Sequence, residues 1–107
     1  MDVFSALADP TRREILCLLG KGPLDASRIA EHFDVTKPAI SKHLKQLHAG
    51  GLVTRTVDAQ RRIYGLDLNG LYDVENWIHE RREAWHARLD SLQEFLEAKH
   101  GHKRRKD

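Results

Sequence analysis

Two short helices followed at once by a β-rich segment place the strongest constraint on how this chain can fold. Asp25 can cap the first helix and Thr36 the second, and only a tight turn at Asp34 separates them. Gly50 and Gly51 then end the second helix. The order of helix, tight turn and helix predicts a helix-turn-helix unit.

The period of the apolar residues changes after Gly51. Residues 52–57 are rich in β-branched side chains and residues 61–66 alternate between polar and apolar, so both segments are predicted to be strands. Residues 58–60 join them as a hairpin. A hairpin directly after this unit predicts a winged helix-turn-helix with a two-stranded wing.

The segments on either side are predicted to be helical. Asp9 and Pro10 suit the N-cap and first position of an earlier helix. Residues 71–99 hold no glycine or proline, and their near-heptad apolar spacing predicts one helix of roughly 28 residues, about 42 Å long. We therefore predict a mainly α (α+β) fold. Residues 1–99 form one domain that includes a long C-terminal dimerisation helix, and residues 100–107 form a basic disordered tail.

The composition excludes several classes of protein. The 107 residues suit one domain, and 40% are hydrophobic, which is enough for a small core. No apolar run approaches the roughly 20 residues that span a bilayer, and no signal peptide is visible. We expect a cytoplasmic protein without a membrane partner. The single cysteine, Cys17, excludes an internal disulfide and is expected to be in the core or half-buried.

Charge is distributed unevenly along the chain, although the net charge is only +2. Residues 35–62 hold six basic residues and one acidic residue, a local charge of +5. Residues 67–97 hold eight acidic and three basic residues, a local charge of −5. The basic middle is interpreted either as a surface that faces phosphates or as an ordinary solvated face.

The second helix of the helix-turn-helix carries most of the candidate nucleic-acid contacts. Ile40, Leu44 and Leu47 recur as one packing stripe. The opposite face offers hydroxyl and ammonium groups, which can bond to base edges or phosphates. The predicted contacts with double-stranded DNA, on this helix and at the hairpin tip, are Thr36, Lys37, Pro38, Ser41, Lys42, Lys45, Gln60, Arg61 and Arg62.

Five further residues have open roles. Arg61 and its neighbour Arg62 point to opposite faces of a strand, so one of the two is expected to reach DNA. His43 lies beside the packing stripe, where it either supports the helix or contacts DNA. Arg12 and Arg13 either reach a phosphate or pair with nearby acidic groups.

The long last helix is predicted to hold a homodimer together. The preceding residues can cover only part of its length, yet its apolar stripe continues to the end. An open stripe of this size is rare on a soluble monomer, and a two-fold partner would bury it. The predicted interface residues, including one near the N-terminus, are Phe4, Leu71, Val74, Trp77, Ile78, Trp85, Leu89, Leu92 and Phe95.

Four segments together resemble the ArsR/SmtB family of bacterial winged-helix repressors. They are ALADPTRREIL at residues 6–16, ISKHLKQL at residues 40–47, GLV at residues 51–53 and RRIYGL at residues 61–66. The resemblance implies a homodimer that binds a palindromic operator and represses transcription. The last helix, with Trp77 and Trp85, is more similar to the branch of metal-independent autorepressors than to the metal sensors.

Metal binding is the main alternative within that family. The thiolate sites of the family need cysteines near the first helix of the helix-turn-helix, and residues 25–34 have none. The last helix does carry histidines and carboxylates along one face, which is the pattern of a metal-responsive repressor or of a solvated surface. These residues are Glu75, His79, Glu83, His86 and Asp90. We expect no metal site and no cofactor.

Two other classes fit the sequence less well. No glycine-rich phosphate loop and no nucleophile–base motif is present, so we expect no enzymatic activity. A non-specific DNA-packaging protein would account for the basic middle of the chain. It would not account for the small polar residues on one helix face.

Overall fold

The computed structural model describes residues 2–100, except for the side chain of His100. It confirms the mainly helical, winged helix-turn-helix fold class. The elements are α1 (Val3–Leu7), α2 (Pro10–Leu19), β1 (Leu24–Asp25), α3 (Ala26–Glu31), α4 (Lys37–Ala49), β2 (Val53–Asp58), β3 (Arg61–Leu66) and α5 (Leu68–His100). The predicted tail, residues 100–107, lies outside the described residues apart from the backbone of His100. The domain boundary at residue 99 stays a prediction.

The predicted helix starts are confirmed by their capping hydrogen bonds. Asp9, Asp25 and Thr36 each accept a bond from the amide three residues further on, at 3.0, 2.8 and 3.2 Å respectively. The bond from the Arg12 amide also holds the pKa of the Asp9 carboxyl below its usual value, because it stabilises the ionised form. Local side-chain chemistry therefore decides where α2, α3 and α4 begin.

The sheet has one more strand than the sequence predicts. Its order is β1-β3-β2 with antiparallel pairing, and Leu24 is paired with Tyr64. With only two residues, β1 is too short to show an alternating pattern in the sequence. The hairpin loop is also tighter than predicted, because Asp58 already pairs with Arg61. Ala59 adopts the left-handed conformation at φ 59° to close this two-residue turn.

The core lies between the helices and the inner side of the sheet. Its largest fully buried side chains are Ile15, Ile29, Ile40, Leu44, Leu47, Leu52 and Val53. The predicted packing stripe of α4 is therefore confirmed. The expectation for Cys17 is wrong, since its side chain is exposed. Both Ile15 and Leu19 of α2 face the core, and Cys17 lies about 200° around the helix from each of them.

The last helix begins three residues earlier than predicted, at Leu68 rather than Leu71. The carboxylate of Asp67 accepts a bond from the Asn69 amide at 3.1 Å, which starts the helix ahead of a glycine. Gly70 is needed inside this first turn because the turn packs directly on the backbone of Gly51. A Cβ atom at position 70 would lie 2.8 Å from the carbonyl carbon of Gly51 and would overlap its oxygen.

Contacts among the described residues form two units, one up to Val74 and one from Glu75 onward. The first holds the helix-turn-helix and the sheet. The second is the continuation of α5 as a single helix. None of the helices within residues 2–100 combines the length and apolar character needed to cross a bilayer.

We predict that Gly70→Ala destabilises the protein. Alanine favours helix by up to about 1 kcal/mol over glycine, but here the added methyl group overlaps a backbone that cannot move aside easily. The expected net loss is about 1–3 kcal/mol in the free energy of unfolding, measured by urea denaturation. Asn69→Ala is the matched control, because this neighbouring side chain is exposed. A Gly70→Ala variant as stable as the control would contradict the close approach.

Candidate nucleic-acid interface

The outward face of α4 brings the predicted helix contacts together on one surface. Lys37, Ser41 and Lys45 follow one another at intervals of four residues, so they form a row along the helix. Pro38 and Lys42 form a second row beside it. All five side chains are exposed, and no acidic residue occurs within α4. The face is therefore positively charged and open to solvent.

Thr36 stands at the N-terminal end of this face. Its hydroxyl oxygen accepts the hydrogen bond from the Ala39 amide, so the residue already serves as the N-cap. The hydroxyl hydrogen remains available as a donor, since capping uses only an oxygen lone pair. Thr36 can thus begin α4 and still donate to a phosphate.

The opposite side of α4 fixes which residues face outward. Ile40, Leu44 and Leu47 are at most 1% exposed and belong to the core of the first unit. Rotating the helix far enough to bury Ser41 or Lys45 would expose this stripe. Burial of three large aliphatic side chains, at about 2 kcal/mol each, opposes that rotation.

The hairpin tip places Gln60, Arg61 and Arg62 at the surface. The two arginines are not equivalent. The Nε atom of Arg61 lies 3.7 Å from a carboxylate oxygen of Asp25, the N-cap of α3, whereas no such ion pair is seen for Arg62 within the described residues. The expectation that the two side chains point to opposite faces and that one of them reaches DNA stays a prediction.

Two exposed polar residues near these surfaces were not singled out from the sequence. His48 lies on α4 seven residues after Ser41, so it extends the outward row, and this spacing could have identified it. Ser27 lies on α3 and lines a shallow depression of about 240 Å³ with the hairpin-tip residues. The sequence alone could not place Ser27 beside the hairpin tip, because that proximity depends on how the strands pair.

Neither Arg12 nor Arg13 forms an ion pair with an acidic side chain among the described residues, and contact of either with a phosphate stays a prediction. The Arg12 side chain is buried at 9% exposure and bonds to backbone carbonyls and to α4 rather than to a carboxylate. The exposed Arg13 donates to the carbonyl oxygen of Leu7 at 2.7 Å. His43 lies beside Arg12 and is half-buried, with its Nδ1 atom 3.8 Å from an Asp9 carboxylate oxygen.

The second unit carries most of the predicted dimer residues. The rings of Trp77 and Trp85 meet edge to face, with centroids 5.9 Å apart, and the guanidinium of Arg81 lies 4.3 Å from the Trp77 centroid. The exposed apolar side chains of this unit are Trp77, Ile78, Trp85, Leu89, Leu92, Phe95 and Leu96. In the first unit, Phe4 is 43% exposed, while Leu71 and Val74 are half-buried.

The histidine and carboxylate face of α5 is present as predicted from the spacing, and its residues are exposed. Among the described residues, no three histidine, cysteine, aspartate or glutamate side chains come together closely enough to hold a metal ion.

Comparison with known proteins gives consistent matches. A family model described as "Bacterial regulatory protein, arsR family" matches residues 9–55. The transcriptional repressor SdpR of Bacillus subtilis (strain 168) is 43% identical over 77 residues, which cover 72% of this chain and 86% of that protein. The arsenical resistance operon repressor of Staphylococcus aureus is 38% identical and covers 67% of this chain and 69% of its own length.

A solved structure shows the same fold. An ArsR-like transcriptional regulator from Rhodococcus sp. RHA1 gives a TM-score of 0.70 at 33% identity, over 87% of this chain and 88% of that one.

The helix-turn-helix, the hairpin and the basic outward face define a winged-helix DNA-binding regulator. The chain belongs to the ArsR family of bacterial regulatory proteins. Its relatives are transcriptional regulators and not enzymes, which agrees with the expectation from the sequence.

Proposed function

We propose that this regulator is a homodimeric repressor that reads a palindromic operator with α4. The observation that carries the proposal is the exposed row of Lys37, Ser41 and Lys45 opposite a fully buried stripe. A helix with small hydroxyl and long basic side chains on one face suits the major groove of B-DNA. The name of the repressor SdpR supports the direction of regulation.

Within this proposal, the residues of α4 divide into two kinds of contact. Ser41 and Lys42 lie within the first two turns of the helix, where recognition helices meet base edges. Thr36 and Lys37 lie at its N-terminal end, which suits a phosphate. Lys45, further along, extends the same basic face.

The first test is substitution on this face. Lys42→Ala is expected to weaken operator binding by about 1–3 kcal/mol if the ammonium group bonds to a guanine. If it meets only a phosphate, all sequences weaken alike and the salt slope falls by about one unit. Ser41→Ala tests the hydroxyl in the same assay. Binding is measured by fluorescence anisotropy on a duplex selected from a random library.

Lys21→Ala is the charge-matched control, because Lys21 is exposed and lies outside both α4 and the hairpin. Its loss is expected to leave the selected sequence preferred. If neither Lys42→Ala nor Ser41→Ala alters binding to the selected operator, α4 is not the recognition helix.

We also propose that the hairpin adds affinity more than sequence preference. Its tip residues Gln60, Arg61 and Arg62 are long and polar, which suits phosphates or a narrow minor groove. The partial engagement of Arg61 with Asp25 leaves Arg62 as the better candidate for direct contact.

Replacing both arginines by alanine is therefore expected to lower affinity for all duplexes and to reduce the salt slope by about one to two units. Of the single variants, Arg62→Ala is expected to cause the larger loss. The preferred sequence, measured by repeating the library selection, should not change. A new preferred sequence with little loss of affinity would contradict this role.

The proposed dimer is supported by the exposed apolar face of the second unit. Ile78, Trp85, Leu89 and Leu92 lie within about 40° of one line along α5. Large apolar side chains exposed in this arrangement are typical of an interface, and aromatic residues often anchor such surfaces. A two-fold axis would place two recognition helices about 34 Å apart, one turn of DNA.

Sedimentation equilibrium tests the dimer directly. The unmodified chain is expected to be dimeric at micromolar concentration, and a Trp85→Glu/Leu92→Glu variant is expected to be monomeric, because charge would be buried in the interface. Ala87→Glu/Ser91→Glu is the control, since these exposed positions face away from the stripe. A monomeric unmodified chain, or a Trp85→Glu/Leu92→Glu variant that stays dimeric, would contradict the proposal.

We further propose that the regulator resembles the metal-independent branch and acts in the cytoplasm. The single cysteine of the sequence supports the first point, because a paired-thiolate site cannot form within one chain. The DNA-binding role supports the second, since an operator lies on the bacterial chromosome.

A further inference from the structure

The buried Arg12 side chain joins α2 to two other helices. Its Nε atom donates to the Ala6 carbonyl oxygen at 2.7 Å, and its Nη2 atom donates to the Ser5 carbonyl oxygen at 3.1 Å. Its Nη1 atom donates to the side-chain oxygen of Gln46 on α4 at 2.5 Å. One guanidinium therefore connects α1 with α4.

The sequence explains why α1 needs this donor. The Ala6 carbonyl lies in the last turn of α1, where a helix carbonyl has no amide partner within its own helix, and Pro10, four residues on, has no N–H group to offer. A buried carbonyl without a partner is costly, so the Arg12 guanidinium replaces the missing donor. The end of α1 thus provides the acceptor that holds Arg12 in place.

His43 completes the cluster on the side of α4. Its Nδ1 atom lies 3.3 Å from Nη1 of Arg12. Because a guanidinium only donates, this contact is a hydrogen bond when Nδ1 carries no hydrogen and can accept. Gln46 and His43 are one turn apart on α4, so Arg12 holds the helix at two successive points.

The bonds to Arg12 restrict the rotation of α4 about its own axis, which the apolar stripe restricts only weakly. Aliphatic packing is non-directional, so Ile40, Leu44 and Leu47 tolerate a small rotation of α4 about its axis. Hydrogen bonds from a planar guanidinium have fixed directions. His43 and Gln46 lie between the buried stripe and the outward face. A rotation of the helix would therefore break their hydrogen bonds to Arg12.

We propose that Arg12 is a positioning residue that sets the rotation of α4 and ties it to α1, without itself contacting DNA. This inference rests on the proposed role of α4 as the recognition helix. Hydrogen bonds to base edges tolerate displacements of only a few tenths of an ångström. A small rotation of α4 therefore lowers the preference for the operator sequence before it lowers the affinity for DNA in general. Phosphate contacts tolerate the same rotation more readily.

Gln46→Leu tests the proposal because it removes the acceptor and keeps the volume of the side chain. The affinity ratio between the selected operator and a random duplex is expected to fall about threefold to tenfold, as expected for the loss of one hydrogen bond. Affinity for the random duplex and its salt slope should stay unchanged. Gln46→Glu retains an acceptor and is expected to preserve the ratio, even if its charge weakens all DNA binding.

A variant in the hydrophobic core distinguishes a positioning role of Arg12 from a role in stability alone. Ile15→Val removes a buried methylene group of α2 without touching the cluster, so it lowers the melting temperature but should leave the affinity ratio unchanged. All variants are compared at a temperature where thermal unfolding shows them folded. If Gln46→Leu lowers the melting temperature and keeps the ratio, as Ile15→Val does, the proposal is overturned.

Arg12→Lys provides a second variant that does not depend on position 46. A lysine cannot reach α1 and α4 with the same paired geometry, so the ratio is again expected to fall. If Lys42→Ala weakens operator binding while Gln46→Leu and Arg12→Lys keep the ratio, only the positioning role fails. If Lys42→Ala and Ser41→Ala have no effect, the proposed function itself fails.

Discussion

Burial of one side of α4 is the interaction on which the rest of this structure depends. Ile40, Leu44 and Leu47 are at most 1% exposed, and they belong to the same core as Ile15 of α2 and Val53 of β2. This packing determines that the hydroxyl and ammonium groups of α4 face solvent. The position of the basic surface on α4 is thus a consequence of which side of the helix packs into the core.

Hydrogen bonds at helix ends determine where the helices begin and how α1 is joined to α4, which the apolar core alone does not determine. Side-chain oxygens begin α2, α3 and α4, and the unpaired carbonyls at the end of α1 accept hydrogen bonds from Arg12. Through Arg12, the short helix α1 and the half-buried side of α4 that carries Gln46 share one polar cluster. The surface that we propose reads DNA is therefore linked to the helix that carries Phe4, a predicted dimer contact.

Sequence patterns were sufficient for the order and type of the main elements, because caps, apolar periods and the change of period at Gly51 are local signals. They were insufficient where a feature depends on residues distant in sequence. The strand β1 exists only because Leu24 meets Tyr64, and the early start of α5 depends on Gly70 packing on Gly51. Likewise, the burial of Arg12 depends on bonds to the Ala6 carbonyl and to Gln46 of α4, and no local pattern around Arg12 indicates these partners. The assignment of individual DNA and dimer contacts stays a prediction.

The most direct test of the central claim is an NMR titration of the isotope-labelled chain with the duplex that it selects from a random library. The account predicts intermolecular contacts between major-groove protons and the side chains of residues 36–45, with further contacts from the sugar–phosphate backbone to the hairpin tip. DNA contacts confined to residues outside α4 and the hairpin would contradict it.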